Sequence, residues 1–388
     1  MAFNGELFDI FSWLPAKSLY RLSSVCKSSK ELLSDDFFIR KQFKNMQLVS
    51  DRDFFIYPDI FQRYRIGNLE FHALSSKNSN SSLPLESLNF LANHGNIIAS
   101  SNGLLCCRNI GDDENPLFLF NPTTWSYLPI PLPDERSTFR LLNIVFVCEK
   151  DEDSKDDFLL LTLFSPDEWG EKFHSKIYSP EERTWRDGGR VDVGQRDMNF
   201  EHMVKQNGVV YMVSNCFNYF AKGSRFFWPY IVAYDIKNSN SRFLKIPKGA
   251  RKGVWDSMLR IFKWGNHPNN SEFNSICLVK LLKNTFTVWV LVRTRSSYYW
   301  KRVFRMRVKA MALALSKIDH LRVEGFAVFN GSFLIFATER KVYSFNLIDG
   351  EEAEEVCGHQ FGNYVRFASF SSTLRPCGPG AITLPLHA

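Results

Sequence analysis

The sequence predicts a mainly β chain, a large β-propeller preceded by a small all-α module. Three observations carry this. Aromatic residues make up 15% of the 388 residues, with 36 Phe, 13 Tyr and 9 Trp, and aromatic side chains favour strands and large β cores. An Asn-Gly dipeptide followed by two strand-sized apolar runs recurs at Asn102-Gly103, Asn207-Gly208 and Asn330-Gly331. The start of the chain instead repeats apolar residues at helical spacing.

Leu7, Ile10, Phe11 and Leu14 fall at i, i+3, i+4 and i+7, a one-sided stripe on a short helix. Pro15 ends it, because proline biases the preceding residue away from the α region. Pro15 also suits the first turn of a second helix, which carries Leu19, Leu22, Val25 and Cys26 on one side. Ser28 and Glu31 have capping-box spacing and open a third helix through Leu32 and Leu33. Ser34-Asp35-Asp36 is a further start signal before Phe37–Phe43. Four such short helices cannot enclose a core of their own at native stability, so the module should present apolar surface to a partner.

The string Leu14-Pro15-Ala16-Lys17-Ser18-Leu19, with Arg21, Val25-Cys26-Lys27 and Leu32-Leu33-Ser34-Asp35 following in register, resembles a plant-type F-box. That helical module binds the Skp-family adaptor of SCF ubiquitin ligases. Ser29 stands where the family carries a tryptophan. The resemblance implies that Leu7, Ile10, Phe11, Leu14, Pro15, Leu19, Leu22, Val25 and Cys26 make the adaptor-binding surface. It also implies that a cullin–RING scaffold is reached through the adaptor, and that the chain is a non-catalytic receptor for a target protein. The same residues admit a second reading, a helical cap on a free-standing propeller that serves as a scaffold or binds RNA.

Downstream, each Asn-Gly is followed by a strand, a loop and a second strand ending in Asn or Asp: Leu117–Asn121, Ile231–Asp235 and Val342–Asn346 close the three units. Asn-Gly is the strongest tight-turn dipeptide, since both residues tolerate positive φ. Phe120-Asn121-Pro122-Thr123-Thr124-Trp125 parallels Tyr178–Trp185: an aromatic ends a strand, a proline bends the chain, and Thr-Trp starts the return strand. Val288–Leu291 and Tyr299–Val303 make a further hairpin. The turn glycines 103, 208 and 331 lie 105 and 123 residues apart, room for two to three four-stranded blades each. Radial closure buries both faces of such sheets and leaves few free edges, so a propeller is favoured over a pair of β-sandwiches. SSNGLLC, LFNPTTWSYLP and the Val-Trp-Val and Trp-Lys hairpin resemble the F-box-associated, kelch-like domain. The expected organisation is 1–46 F-box, 47–89 linker and first strands, and 90–388 kelch-like propeller, with the polar tract Ser75–Ser82 as a loop.

Little in the sequence points to catalysis. The eight histidines show no HxH or HExxH spacing, and no P-loop, GxGxxG or GxSxG is present, so no metal or other cofactor is expected. Cys106 and Cys107 are adjacent on a strand and should point to opposite faces. No CxxC pair occurs among the eight cysteines, which read as reduced thiols of a cytoplasmic or nuclear protein. No apolar run reaches the roughly 20 residues of a membrane-spanning helix. The net charge of +7 is mild and does not by itself imply nucleic acid. The acidic run Glu149–Asp157 reads as a solvated loop, as does Glu351–Glu355. The basic stretch Arg293–Lys309, interleaved with Tyr298, Tyr299 and Trp300, reads first as a half-buried strand with one charged face. Positive charge beside stacking aromatics is also how single-stranded nucleic acid is held, but an active patch here is read as a contact for an acidic protein surface ahead of nucleic acid.

Overall fold

The computed structural model describes residues 5–385 except 26, 50, 52, 59–68, 75–82, 111–115, 134–142, 149–157, 165–171, 266–274 and 295–296. The polar tract at 75–82 and the acidic run at 149–157 lie outside the described residues, as does Cys26.

Four helices open the chain: α1 (Gly5–Phe11), α2 (Ala16–Ser23), α3 (Lys27–Leu32) and α4 (Asp36–Gln47). Pro15 is the N-cap of α2, with ψ 147°, rather than a residue of its first turn. The Ala16 N–H, orphaned at the start of that helix, donates to the Ser372 carbonyl oxygen at 3.0 Å. The capping box at Ser28 does not form, because α3 already begins at Lys27 and takes Ser28 into its interior. Asp35 does cap α4, its carboxylate accepting from Phe38 N–H at 2.8 Å.

Among the described residues, six antiparallel sheets follow, arranged as the blades of a propeller. The first blade pairs β1 (Asp53–Pro58) with β2 (Glu70–Ala73) on one side and with the distant β23 (Val365–Phe370) on the other. After α5 (Leu85–His94), the second holds β3 (Gly95–Ser101), β4 (Leu104–Asn109), β5 (Leu117–Asn121) and β6 (Ser126–Ile130), with β24 (Ile382–Thr383) on its outer edge. The third is β7 (Asn143–Val147), β8 (Leu159–Phe164), β9 (Lys172–Ser179) and β10 (Thr184–Asp192). The fourth is β11 (Met198–Gln206), β12 (Val209–Ser214), β13 (Tyr230–Asp235) and β14 (Asn240–Lys245). The short α6 (Lys248–Arg251) leads into the fifth: β15 (Ser257–Trp264), β16 (Ser275–Leu282), β17 (Thr285–Arg293) and β18 (Tyr298–Arg307). Then α7 (Leu313–Ser316) leads into the sixth: β19 (Gly325–Phe329), β20 (Phe333–Ala337), β21 (Lys341–Asn346) and β22 (Glu354–Gly358). The inner strands β23, β3, β7, β11, β15 and β19 touch in a closed ring.

The three Asn-Gly turns each join an inner strand to the second strand of its blade, with φ positive at both residues: 44° and 81°, 50° and 71°, 51° and 70°. Each interval between them spans two blades. The Thr-Trp rule needs one correction: Trp125 does not start β6. It sits in the turn with φ 58°, its N–H bonded to Asn121 O at 2.9 Å, and its indole fills the core between the first and second blades.

Strand alternation puts one row of side chains into the core shared with each neighbouring blade. Cys106 faces Ile144, Phe146 and Leu160 of the third blade, whereas Cys107 faces the core shared with Phe55 and Phe370 of the first. Both thiols are fully buried and free, and burial pushes the Cys106 pKa up to about 12. Each fully buried Leu or Phe in these cores contributes roughly 1.5–3 kcal/mol. Among the described residues, no helix is long and apolar enough to cross a membrane.

Candidate functional site

The four helices enclose only a thin core. Ala16, Leu19, Leu32 and Phe38 are buried together with Leu374 from the far end of the chain. Phe8, Phe11, Leu14 and Leu22 form a half-buried layer on this core. Leu7 (43% exposed), Ile10 (58%) and Val25 (74%) point outward.

The nine residues singled out from the sequence therefore divide. Leu7, Ile10 and Val25 are exposed; Phe11, Leu14, Pro15 and Leu22 are half-buried; Leu19 is sealed inside at 3% exposure; Cys26 is outside the described residues. Sequence reasoning passed over Trp13, Tyr20 and Phe37, which are also exposed. The signal for them was available: all three are bulky apolar or aromatic side chains lying off the apolar stripe, where a self-contained helical bundle would carry polar residues.

The opposite side of the helices is welded to the propeller. Residues 371–375 run between the two, and nearly every polar group there is used. Leu374 N–H donates to the Gln42 side-chain oxygen at 3.0 Å, and the Gln42 amide donates to Leu14 O at 3.0 Å. The Arg375 guanidinium stacks 4.7 Å over the Phe43 ring. From the second blade, Asn121 donates to the carbonyl oxygens of Thr373 and Arg375 at 3.0 and 2.7 Å, and Asn102 to Phe43 O at 3.1 Å. A Cβ on Gly103 would sit 2.1 Å from the Thr373 hydroxyl oxygen, so the close approach of this segment to the Asn102-Gly103 turn requires glycine.

Residues 46–49 and Asp51 then lie over one mouth of the central channel. Gln47 donates to Cys148 O at the end of β7, and Asp51 exchanges backbone hydrogen bonds with the Asn330 side chain at 2.8 and 3.0 Å. Beneath this strap lies a cavity of about 540 Å³, lined by inner-strand side chains that include Glu201, Arg366 and Lys263. Glu201 and Arg366 form an ion pair across it. The His202 Nε2 is shut off from solvent without a hydrogen-bond partner, and burial, with Arg260 and Arg366 nearby, holds its pKa well below the usual histidine range. Burial pushes the Asp51 carboxyl upward. Among the described residues no cluster of His, Cys, Asp or Glu has the arrangement to hold a metal ion.

All inner strands run toward the strapped mouth. The starts of β3, β7, β11, β15 and β19 therefore lie on the face away from the helices, and that face is free of the strap. The helices and the free face thus lie at opposite ends of the ring.

Residues 6–45 match the F-box-like family. An F-box protein of Arabidopsis thaliana is 28% identical over 261 residues, covering 64% of this chain and 65% of that protein. An F-box/kelch-repeat protein of the same plant is 29% identical over 243 residues, covering 61% of this chain and 52% of that one. The chain thus matches between half and two thirds of the length of these two relatives. Among solved structures, a periplasmic gluconolactonase of Pseudomonas aeruginosa covers 83% of this chain and 100% of its own, at 11% identity and a TM-score of 0.43, a likeness too loose to carry an argument. The chain joins an N-terminal F-box-like domain to a six-bladed β-propeller, and its relatives are Arabidopsis F-box proteins.

Proposed function

We propose that the chain is the substrate-recognition subunit of an SCF-type ubiquitin ligase. Residues 1–46 act as the F-box unit, and the exposed side chains of its helices bind a Skp-family adaptor, which links to a cullin–RING scaffold. The propeller, of the kelch-like type, holds a target protein on its free face. The receptor performs no chemistry; it raises the effective concentration of target beside the ubiquitin-carrying enzyme. The same reading puts the protein in the cytoplasm or nucleus.

One observation carries this reading. Leu7 and Ile10 on α1, and Val25 in the turn after α2 rather than on that helix, stay exposed, while the other side of the helices is already fixed to the propeller through residues 371–375. A helical cap serving only the propeller gains nothing from that outward apolar surface. The test is adaptor capture by the full chain carrying Leu7→Glu and Ile10→Glu. Capture should fall by at least about tenfold, each lost anchor costing roughly 1–3 kcal/mol, with the thermal midpoint unchanged. Undiminished capture refutes the assignment.

A further inference from the structure

The fifth blade carries a charged surface where its neighbours carry core. Near the helical end of the sheet its side chains facing the fourth blade are apolar: Ile276, Leu278, Trp289 and Leu291 are buried there. One row farther out, Lys280, Thr287 and Arg305 lie side by side across β16, β17 and β18. A bulge extends this row. Val288 pairs with Phe304 but Trp289 with Arg302, so Val303 is an extra residue in β18. It brings Arg302 onto the same face as Arg305 and Arg307, where strict alternation would have put it on the other.

A cleft of about 910 Å³ opens over these side chains. Lys248 and Lys252, in the α6 segment, form its far wall, and Lys283 and Lys309 its rim. None of the described residues lining it is acidic. Lys280 is only 3% exposed, and its ammonium donates to Ala250 O at 2.8 Å and to Lys252 O, holding the α6 segment over the sheet. Burial, with Arg305 nearby, lowers its pKa. Arg302, Arg305 and Arg307 have no ion-pair partner among the described residues. Like charges gathered in one concavity repel one another and concentrate anions.

The geometry also selects the kind of anion. Same-face positions two apart on a strand are spaced by roughly 6.8 Å, so Arg305 and Arg307 match alternate residues of an extended peptide, and Arg302 continues the row. The aromatic ring of the cleft, Trp289, is 5% exposed. It offers no open face on which a nucleotide base could stack. Trp300 is tied down through its indole N–H to Lys245 O at 3.0 Å. The cleft sits by the turn between β16 and β17, on the face away from the F-box helices.

We propose that this cleft is a docking site for an extended acidic segment of a target protein, with carboxylates at alternate residues. The proposal rests on the receptor reading and names its substrate class. The test uses the full chain and a fluorescein-labelled peptide of alternating glutamate and serine, read by anisotropy. Wild type should bind, and the pair Arg302→Glu and Arg305→Glu should weaken binding by about tenfold. Arg186→Glu and Arg190→Glu on β10, an equal change in charge elsewhere, should leave it within about twofold. The neutral pair Arg302→Gln and Arg305→Gln should show the same loss with an unchanged thermal midpoint, which separates the effect from misfolding. Absence of binding, or equal weakening by the β10 pair, overturns the proposal. So does displacement of the peptide by tripolyphosphate at lower concentration than unlabelled peptide requires, which would mark a compact polyanion site. Tighter binding of oligouridine than of peptide overturns it in favour of RNA. Adaptor capture is measured alongside: capture without cleft-dependent peptide binding removes this proposal alone, and cleft-dependent peptide binding without capture removes only the receptor reading.

Discussion

Gln42 and Leu374 are joined by a hydrogen bond of 3.0 Å between residues 332 positions apart. The fully buried Gln42 side chain simultaneously donates to Leu14 O at 3.0 Å. One amide therefore serves the turn before α2, the body of α4 and the end of the propeller. A buried polar group that loses its partner costs about 1–3 kcal/mol. Gln42→Ala strands two such groups and should lower the stability of the full chain by about 2–4 kcal/mol, read as a fall in the urea midpoint. An unchanged midpoint would show that water replaces both bonds.

Leu19 and Leu7 should behave oppositely when charged. Leu19 lies in the helical core beside Ala16, Leu32 and Phe38, so Leu19→Glu buries an unpaired carboxylate. Limited proteolysis should then cut within the first 46 residues while the propeller resists. Leu7→Glu, at an exposed position, should leave the proteolytic pattern as in the wild type. Loss of adaptor capture in the Leu19 variant thus reports misfolding, and in the Leu7 variant a lost contact.

Two turn glycines of like backbone conformation separate strain from crowding. Gly208 has φ 71° and open space around its missing side chain, whereas Gly103 has φ 81° and the Thr373 hydroxyl in the way. Gly208→Ala should cost about 1 kcal/mol, the expense of left-handed backbone alone. Gly103→Ala should cost at least about 1 kcal/mol more, and should also loosen the helices, because residues 371–375 must shift. Equal thermal midpoints for the two variants would contradict the tight fit.

His202 sets a pH dependence. Its pKa in the folded chain lies well below that of an unfolded histidine, so the unfolded chain binds its proton first as pH falls. The stability associated with neutral His202 is present above about pH 6.5 and is lost progressively as pH falls toward the folded value. His202→Phe keeps a ring against Phe262, 5.3 Å away, and cannot titrate. The drop in thermal midpoint between pH 7.5 and 5.5, values bracketing roughly the histidine range, should be smaller in the variant than in the wild type. Parallel drops would show that other groups govern this range.

The parts of the fold legible in the sequence are those encoded locally. Asn-Gly needs only its two residues to specify a turn, and Cys106 and Cys107 need only strand alternation to fall in different cores. The first blade was not legible, because β1 and β23 are about 300 residues apart and neither carries a mark of its partner. Periodicity placed Leu7, Ile10 and Leu19 on helices, carried α1 too far in taking in Leu14, which lies in the bend before α2, and could not rank their exposure. That ranking depends on Leu374, which arrives from the other end of the chain. The basic strand was visible as alternation, yet the bulge at Val303 that aligns Arg302 with Arg305 and Arg307 leaves no local signature.

The pairing of β1 with β23 also orders events during synthesis. A ribosome must emit residue 370 before the ring can close, and Leu374 before the helical core is complete. A prematurely terminated product is left with an open edge strand and an underfilled bundle, both exposed to proteases and chaperones. The amino-terminal helices are therefore fully packed only once the chain has been made through Leu374.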